Sequence, residues 1–305
     1  MRAIWLILCA CGEVTSTSTW DANGGANPDA SSDGSPADDA ATSLGPWSTP
    51  VRIDMPSVDG FTDSHPSVSA DGRELYFTSN RDGGSTDIYV STRFTTTDPW
   101  GPATKVLDLD TTSSTEGGPD LSDDGRTILF SRALVGGSTG NDIFMATRTS
   151  PSSPWTNVAP IAELNTTGSE RSPHLSSDGK TVWWAKNVGT STAPDYDIWT
   201  ATRGTVNGVW SNLKEVARFT STGQDDSPCA TSDELTMYFD SDRASAGEST
   251  IYVSTRPLGG GAWSVPHDVP EVAGGLRPDV TPDGRYMVLA KLSADGTTDL
   301  YESHR

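Results

Sequence analysis

Four acidic residues recur at one fixed place: Asp63, Glu116, Glu170 and Asp225 each stand three residues ahead of a proline, namely Pro66, Pro119, Pro173 and Pro228. A fifth proline, Pro278, has Gly275 at that place. His65, Arg171, Asp226 and Arg277 fall within two residues of the same prolines. Carboxylates gathered from separate segments suit one of three roles. A ring of oxygen donors holds a hard cation such as Ca²⁺. Two acids flanking a sugar, one kept protonated, cleave a glycosidic bond. A solvated acidic rim does neither, and is the plainest of the three. The choice depends on what brings the segments together.

The prolines mark a repeat of 50 to 55 residues that runs to the end of the chain. Five residues after each stands an Asp, at Asp71, Asp124, Asp178, Asp233 and Asp283. In four copies a Gly follows, as in Asp71-Gly72, which supplies the positive φ of a tight hairpin. Asp233-Glu234 departs from this, so a looser turn or one of another type is expected there. Two apolar runs follow in each copy. The first is Leu75–Phe77, Ile128–Phe130, Val182–Trp184, Met237–Phe239 and Met287–Leu289; the second begins near Asp87, Asp142, Asp197, Thr250 and Asp299. Neither run alternates, so both faces of each sheet are expected to be covered. A fourth strand opens at Trp100, Trp155, Trp210 and Trp263, with an aliphatic residue six positions on. The last copy ends at Arg305 without that strand, and Trp47 to Ile53 supplies its pattern at the other end. The expected fold is all-β: a five-bladed β-propeller of four-stranded blades, the ring closed by an N-terminal strand that completes the last blade. Such closure removes exposed sheet edges.

The run from Pro66 to Arg93, with its Ser, Asp-Gly, Leu-Tyr-Phe, Asp-Ile-Tyr and Ser-Thr-Arg elements, resembles the WD40-like PD40 repeat of TolB-type propellers. The copy from Pro119 to Arg148 matches as well, that from Pro173 to Arg203 nearly so, and the last two more weakly. The resemblance covers nearly all of residues 47–305. It implies a periplasmic binding or scaffold role in the cell envelope and carries no ligand of its own. In a propeller the innermost strands line a central channel, so the four acids, with His65, Arg171, Asp226 and Arg277, are expected at one channel mouth.

Features present in every copy are read as blade construction. The Asp before the third strand (Asp87, Asp142, Asp197, Asp299) and the basic residue after the second (Arg81, Arg132, Lys186, Arg243, Lys291) are expected to pair across the loop between them. The Arg closing the third strand and the Trp opening the fourth read as packing residues. Of the four histidines only His65 and His174 lie near inner strands, and no third ligand accompanies them. Cys229, beside an anchor proline, reads as a small buried side chain. No nucleophile elbow, phosphate-binding loop or dinucleotide fingerprint occurs. The Asp-Gly turns lack the spacing of sialidase Asp boxes.

The N-terminus is different in kind. Arg2 precedes a short apolar run too brief for a bilayer core of roughly 30 Å. Leu8-Cys9-Ala10-Cys11 resembles a lipobox, so residues 1–10 are expected to be a signal peptide and Cys11 the lipidated first residue. Residues 11–44 are mostly Ser, Thr, Gly, Ala, Asp and Pro, expected to be an acidic tether, and residues 45–305 are expected to be the propeller. With 21 basic against 41 acidic residues the formal charge is −20, which argues against nucleic acid and anionic lipid and favours cations and basic protein faces. The expectation is a monomeric, non-enzymatic propeller held to the envelope by a lipid anchor, binding an envelope protein or a polar ligand. The alternative is a glycosidase or lyase using the channel carboxylates.

Overall fold

The computed structural model describes residues 44–134 and 140–305; Cys11, the expected signal peptide and the tether up to residue 43 lie outside them. Twenty strands form five four-stranded antiparallel sheets. Blade 1 consists of β2 (Asp63–Val68), β3 (Glu74–Ser79), β4 (Asp87–Thr92) and β5 (Thr104–Lys105). Blade 2 consists of β6 (Ser114–Leu121), β7 (Thr127–Leu134), β8 (Asp142–Thr147) and β9 (Thr156–Pro160). Blade 3 consists of β10 (Glu170–Leu175), β11 (Thr181–Asn187), β12 (Tyr196–Thr202) and β13 (Ser211–Glu215). Blade 4 consists of β14 (Asp225–Ala230), β15 (Thr236–Ser241), β16 (Thr250–Thr255) and β17 (His267–Asp268). Blade 5 takes β18 (Gly275–Val280), β19 (Tyr286–Leu292) and β20 (Thr298–His304) from the C-terminus and β1 (Val51–Arg52) from the N-terminus.

Ring closure therefore follows the sequence pattern. Val51 and Arg52 stand opposite Glu302 and Tyr301, Ser48 N–H donates to the His304 carbonyl (2.8 Å) and Ile53 N–H to that of Leu300 (2.9 Å). The five apolar cores lie between neighbouring blades. Tyr76 and Ile88 of blade 1 pack on Ile128, Phe130 and Trp155 of blade 2. Leu75 and Phe77, on the opposite face of β3, pack on Val288 and Leu300 of blade 5. Each sheet is covered on both sides, hence runs without alternation, and each side chain so buried contributes roughly 1.5–3 kcal/mol.

At the outer edge one clamp is built five times. The guanidinium that closes each third strand lies over the Trp opening the fourth: Arg93 over Trp100, Arg148 over Trp155, Arg203 over Trp210, Arg256 over Trp263 and Arg305 over Trp47, at 4.2 to 4.5 Å. Its Nε donates to the carbonyl of the hairpin residue Gly72, Gly125, Gly179, Glu234 or Gly284 at 2.6 to 2.7 Å. The expected irregular turn at Asp233-Glu234 is not found. Glu234 takes a φ of 55°, close to the 65° to 68° of the four glycines, and its carbonyl fills the same place in the clamp. The Arg contact and the Asp233 bond to Leu235 N–H (2.9 Å) hold a side-chain-bearing residue where Gly is usual.

Candidate functional site

None of the four acids lines the channel. Asp63, Glu116, Glu170 and Asp225 are buried to within 1% and tie the incoming loop to their own blade. Asp63 meets Arg81 at 2.7 Å and accepts the Val58 N–H at 3.0 Å. Glu116 meets Arg132 at 2.9 Å and the Thr111 hydroxyl at 3.0 Å, and Asp225 meets Arg243 at 2.6 Å. Those same arginines donate to the carbonyls of Pro56, Leu109 and Phe219 in the preceding loop. Glu170 is held by the N–H and hydroxyl of Thr166, since Lys186 turns instead to the Trp199 ring at 4.4 Å. Blade 5 has no acid because there is no room: a Cβ on Gly275 would come within 2.5 Å of Leu289 and 2.7 Å of the Val272 carbonyl. A buried carboxylate must be paired or hydrogen-bonded; a guanidinium next door does this for Asp63, Glu116 and Asp225, and Thr166 does it for Glu170. Among the described residues the four acids form no ring at a channel mouth; Glu116 instead shares a cluster with Asp87 and Asp110, one carboxylate oxygen of each within 4.8 Å of the others.

The expected pairing across the second and third strands is also corrected. The basic residue reaches inward to the inner strand, as in Arg81–Asp63, while the acid before the third strand reaches outward. Asp87 meets Lys105 of β5 at 2.9 Å, and Asp299 meets Arg52 of β1 at 3.0 Å. In blade 3 the outer strand carries Glu215 instead, and burial together with that like charge pushes Asp197 up to about 6.

The channel owes its lining to a bulge. The residue before each anchor proline has a left-handed backbone: His65 (φ 47°), Gly118 (56°), Ser172 (49°), Ser227 (52°) and Arg277 (52°). Each bulge shifts the register against the second strand, between Ser64 and Ser67 in blade 1 and at the matching places elsewhere. Side chains beyond it are re-aimed toward the axis.

Two tiers of polar groups result. In the first, Arg171 meets Asp226 at 2.6 Å and lies over the Tyr196 ring at 3.5 Å. Arg277 N–H donates to Asp240, the cross-strand neighbour of Asp226, at 3.2 Å. Burial and the Asp226 charge push Asp240 up to about 7. Burial acts most strongly on Asp226 and raises it, but Arg171, His65 and the hydrogen bonds from Ser172 and Ser227 together hold that carboxyl below its usual range. His65 is kept neutral by burial and by Arg277. Four of the sequence-selected residues, His65, Arg171, Asp226 and Arg277, are thus brought together.

The second tier is the position after each proline: Ser67, Asp120, His174, Cys229 and Asp279. Here side chains bridge one blade to the next. Ser67 Oγ accepts the Leu121 N–H (2.9 Å), Asp120 that of Leu175 (2.9 Å), Cys229 Sγ that of Val280 (3.3 Å) and Asp279 that of Val68 (2.7 Å). His174 makes no such bridge; its Nδ1 lies 2.8 Å from Asp120. Burial opposes a charge on this imidazole, and Asp120 outweighs it, raising His174 above its usual value. Burial, reinforced by Asp120, pushes Asp279 up to about 7, and burial with Asp279 pushes the Cys229 thiol well above its usual value. His65 and Arg277 of the first tier and Asp120, His174, Cys229 and Asp279 of the second line a partly open axial cavity of about 30 Å³, room for a water-sized occupant. Asp120, Asp240 and Asp279 escaped the sequence reading; Cys229, read there as a small buried side chain, is buried and also lines the cavity. A signal existed for Asp120, Cys229 and Asp279: the residue after the proline changes in character from copy to copy, as do the two residues before the proline.

No protein-family model and no curated protein sequence matches the chain. Solved structures do. It is similar to the catalytic domain of the GH62 α-L-arabinofuranosidase of Coprinopsis cinerea, with 10% identity, a TM-score of 0.57 and coverage of 86% of this chain and 97% of that one. A thermostable family-43 glycoside hydrolase gives 11% identity and a TM-score of 0.54 over 83% of this chain and 91% of that. TolB from Acinetobacter baumannii gives 15% identity and a TM-score of 0.48, and the chain spans 79% of itself and only 54% of that protein. These likenesses are of fold. The chain is a five-bladed β-propeller, similar in fold to the GH62 and family-43 structures.

Proposed function

We propose that the chain is a non-enzymatic binding propeller of the bacterial cell envelope, tethered by a lipid on Cys11 and engaging a basic protein face or a polar ligand. The observation that carries this reading is the state of the acids. Every carboxylate of the repeated set is buried and bonded inside its own blade, so none is free to protonate a leaving group or attack a sugar. The axial cavity, at about 30 Å³, is far too small for a sugar ring. The lipobox-like Leu8–Cys11, the acidic tether and the charge of −20 support an envelope placement and a preference for basic partners. Among the described residues no helix is long and apolar enough to cross a membrane.

The second reading is a glycoside hydrolase, favoured by the similarity to the GH62 and family-43 folds. Incubating the purified protein with arabinan, xylan and pectin separates the two. No release of sugars or unsaturated products is expected, and turnover on any of them would overturn the binding reading. Independently, a Cys11→Ser variant is expected to lose acyl labelling and leave the membrane fraction. Cross-linking in the native envelope is expected to capture a protein with a basic contact face.

A further inference from the structure

His174, Cys229 and Asp279 come from three different blades, and one donor atom of each lies within 4.8 Å of the others. All three border the axial cavity, which has the volume of one water-sized occupant. We infer that this tier of the channel binds a single divalent transition-metal ion of the zinc class, held by an imidazole nitrogen of His174, the thiolate of Cys229 and a carboxylate oxygen of Asp279. The inference goes beyond the proposed binding role and holds whether or not that role is correct.

The donors carry the orienting contacts that a metal site requires. Asp120 takes His174 Nδ1 at 2.8 Å, which leaves Nε2 to a ligand, and Asp120 is itself fixed by the Leu175 N–H at 2.9 Å. A carboxylate behind a ligating histidine sets its tautomer and raises its basicity. Val280 N–H points at Cys229 Sγ (3.3 Å), a contact that stabilises a thiolate. Val68 N–H occupies one oxygen of Asp279 (2.7 Å), and the other faces Sγ at 3.4 Å. Closing the trio onto bonds of about 2.0–2.3 Å takes inward shifts of roughly half an ångström.

The donor set selects the metal. Thiolate with imidazole and one carboxylate suits Zn²⁺, Co²⁺ or Fe²⁺ and disfavours Ca²⁺, which takes six or more oxygens. Three protein ligands leave a fourth position for water on the axis. Binding balances as M²⁺ displacing to solvent the Cys229 thiol proton and with it any proton held on Asp279 or on Nε2 of His174. Symmetry points the same way. Four of the five side chains at this level bridge neighbouring blades, and His174 alone gives up the bridge for Asp120.

The test is cobalt titration of the full chain with near-ultraviolet absorption as the readout. Wild type is expected to develop a thiolate-to-cobalt charge-transfer band that saturates at one ion per chain and is displaced by Zn²⁺. Cys229→Ser keeps an acceptor for Val280 N–H and is expected to fold and to lose the band. Asp120→Asn is expected to keep the band and weaken affinity 10- to 100-fold. Absence of the band in folded wild type overturns the proposal, and so does its persistence in Cys229→Ser. If the Ser variant fails to fold, melting decides: Zn²⁺ is expected to raise the melting temperature of wild type and leave His174→Gln unchanged. An equal rise in both would place the ion elsewhere and overturn the assignment.

Discussion

The rim and the axis of this ring obey different rules. At the rim, five arginines lie over five tryptophans and bond five hairpin carbonyls within a spread of 0.1 Å. At the axis, the matching position is Ser67, Asp120, His174, Cys229 and Asp279, five residues of four different chemistries. A blade needs the same clamp whichever neighbour it has, so the clamp is repeated. The axis is shared by all blades, so each copy can contribute something different to one small space. Constancy across copies therefore marks architecture, and variation at a conserved geometry marks the place where a site is built.

The sharpest break of this comparison is at the seam. Residues 45–54 bring Trp47 and Ile53, both buried to 5%, and complete the clamp of blade 5 through Arg305. Deleting them opens the ring and exposes β20 as an edge. Loss of cooperative unfolding, or a fall in melting temperature of the whole domain, is expected by calorimetry; a melt identical to that of wild type would mean the strand is ornamental. Next comes the inner clamp. Arg81→Ala strands the Asp63 carboxylate, fully buried, without its cation, and should cost about 3–5 kcal/mol in denaturant unfolding. Adding Asp63→Ala to it should recover part of that loss, because the cost lies in the unpaired charge.

The rim was legible in the sequence and the axis was not, for a physical reason. Prolines, Asp-Gly turns and tryptophans have strong local preferences that survive any tertiary setting. The direction of the inner-strand side chains depends instead on one left-handed residue before each proline. The residue before proline ordinarily favours the extended region, and nothing about Ser172, Ser227 or His65 as residue types announces the exception. In a regular strand Asp63, His65 and Ser67 share a face. The bulge breaks that alternation, so Asp63 goes into the blade while His65 stays on the axis. The acids were therefore correctly seen as a set but assigned to the wrong surface. Asp240 was out of reach for a further reason, since it comes from the second strand and meets Arg277 of the next blade.

The axis itself is expected to leave a signature in pH. Asp240 is pushed up to about 7, so the folded protein holds a proton where the unfolded carboxyl has already released it. That group's contribution to stability is full below about pH 4 and is lost as pH rises through 7. Asp240→Asn keeps an oxygen for the Arg277 N–H and cannot ionise. It should match wild type below about pH 4 and exceed it at pH 8, by on the order of 3–4 kcal/mol. His65, held below its usual value, destabilises both proteins as pH falls below about 6.5, so the difference between the two melts isolates Asp240. A constant difference across pH would show that Asp240 does not titrate in this window.

The smallest effect returns to the rim and asks whether its regularity is a backbone requirement. Gly125 has φ 65°, and a Cβ there would sit 3.5 Å from Arg148, an ordinary contact. Gly125→Ala therefore charges the backbone alone, about 1 kcal/mol. Glu234 already bears that strain at φ 55°, and its carboxylate recovers some through Arg256 at 2.7 Å. Both partners of that pair are partly exposed, so it contributes less than about 1 kcal/mol. Glu234→Gly should then be neutral to slightly stabilising in chemical denaturation, opposite in sign to Gly125→Ala. A loss in both would mean that Glu234 holds its turn through the ion pair and that the fourth clamp is built differently from the other four after all.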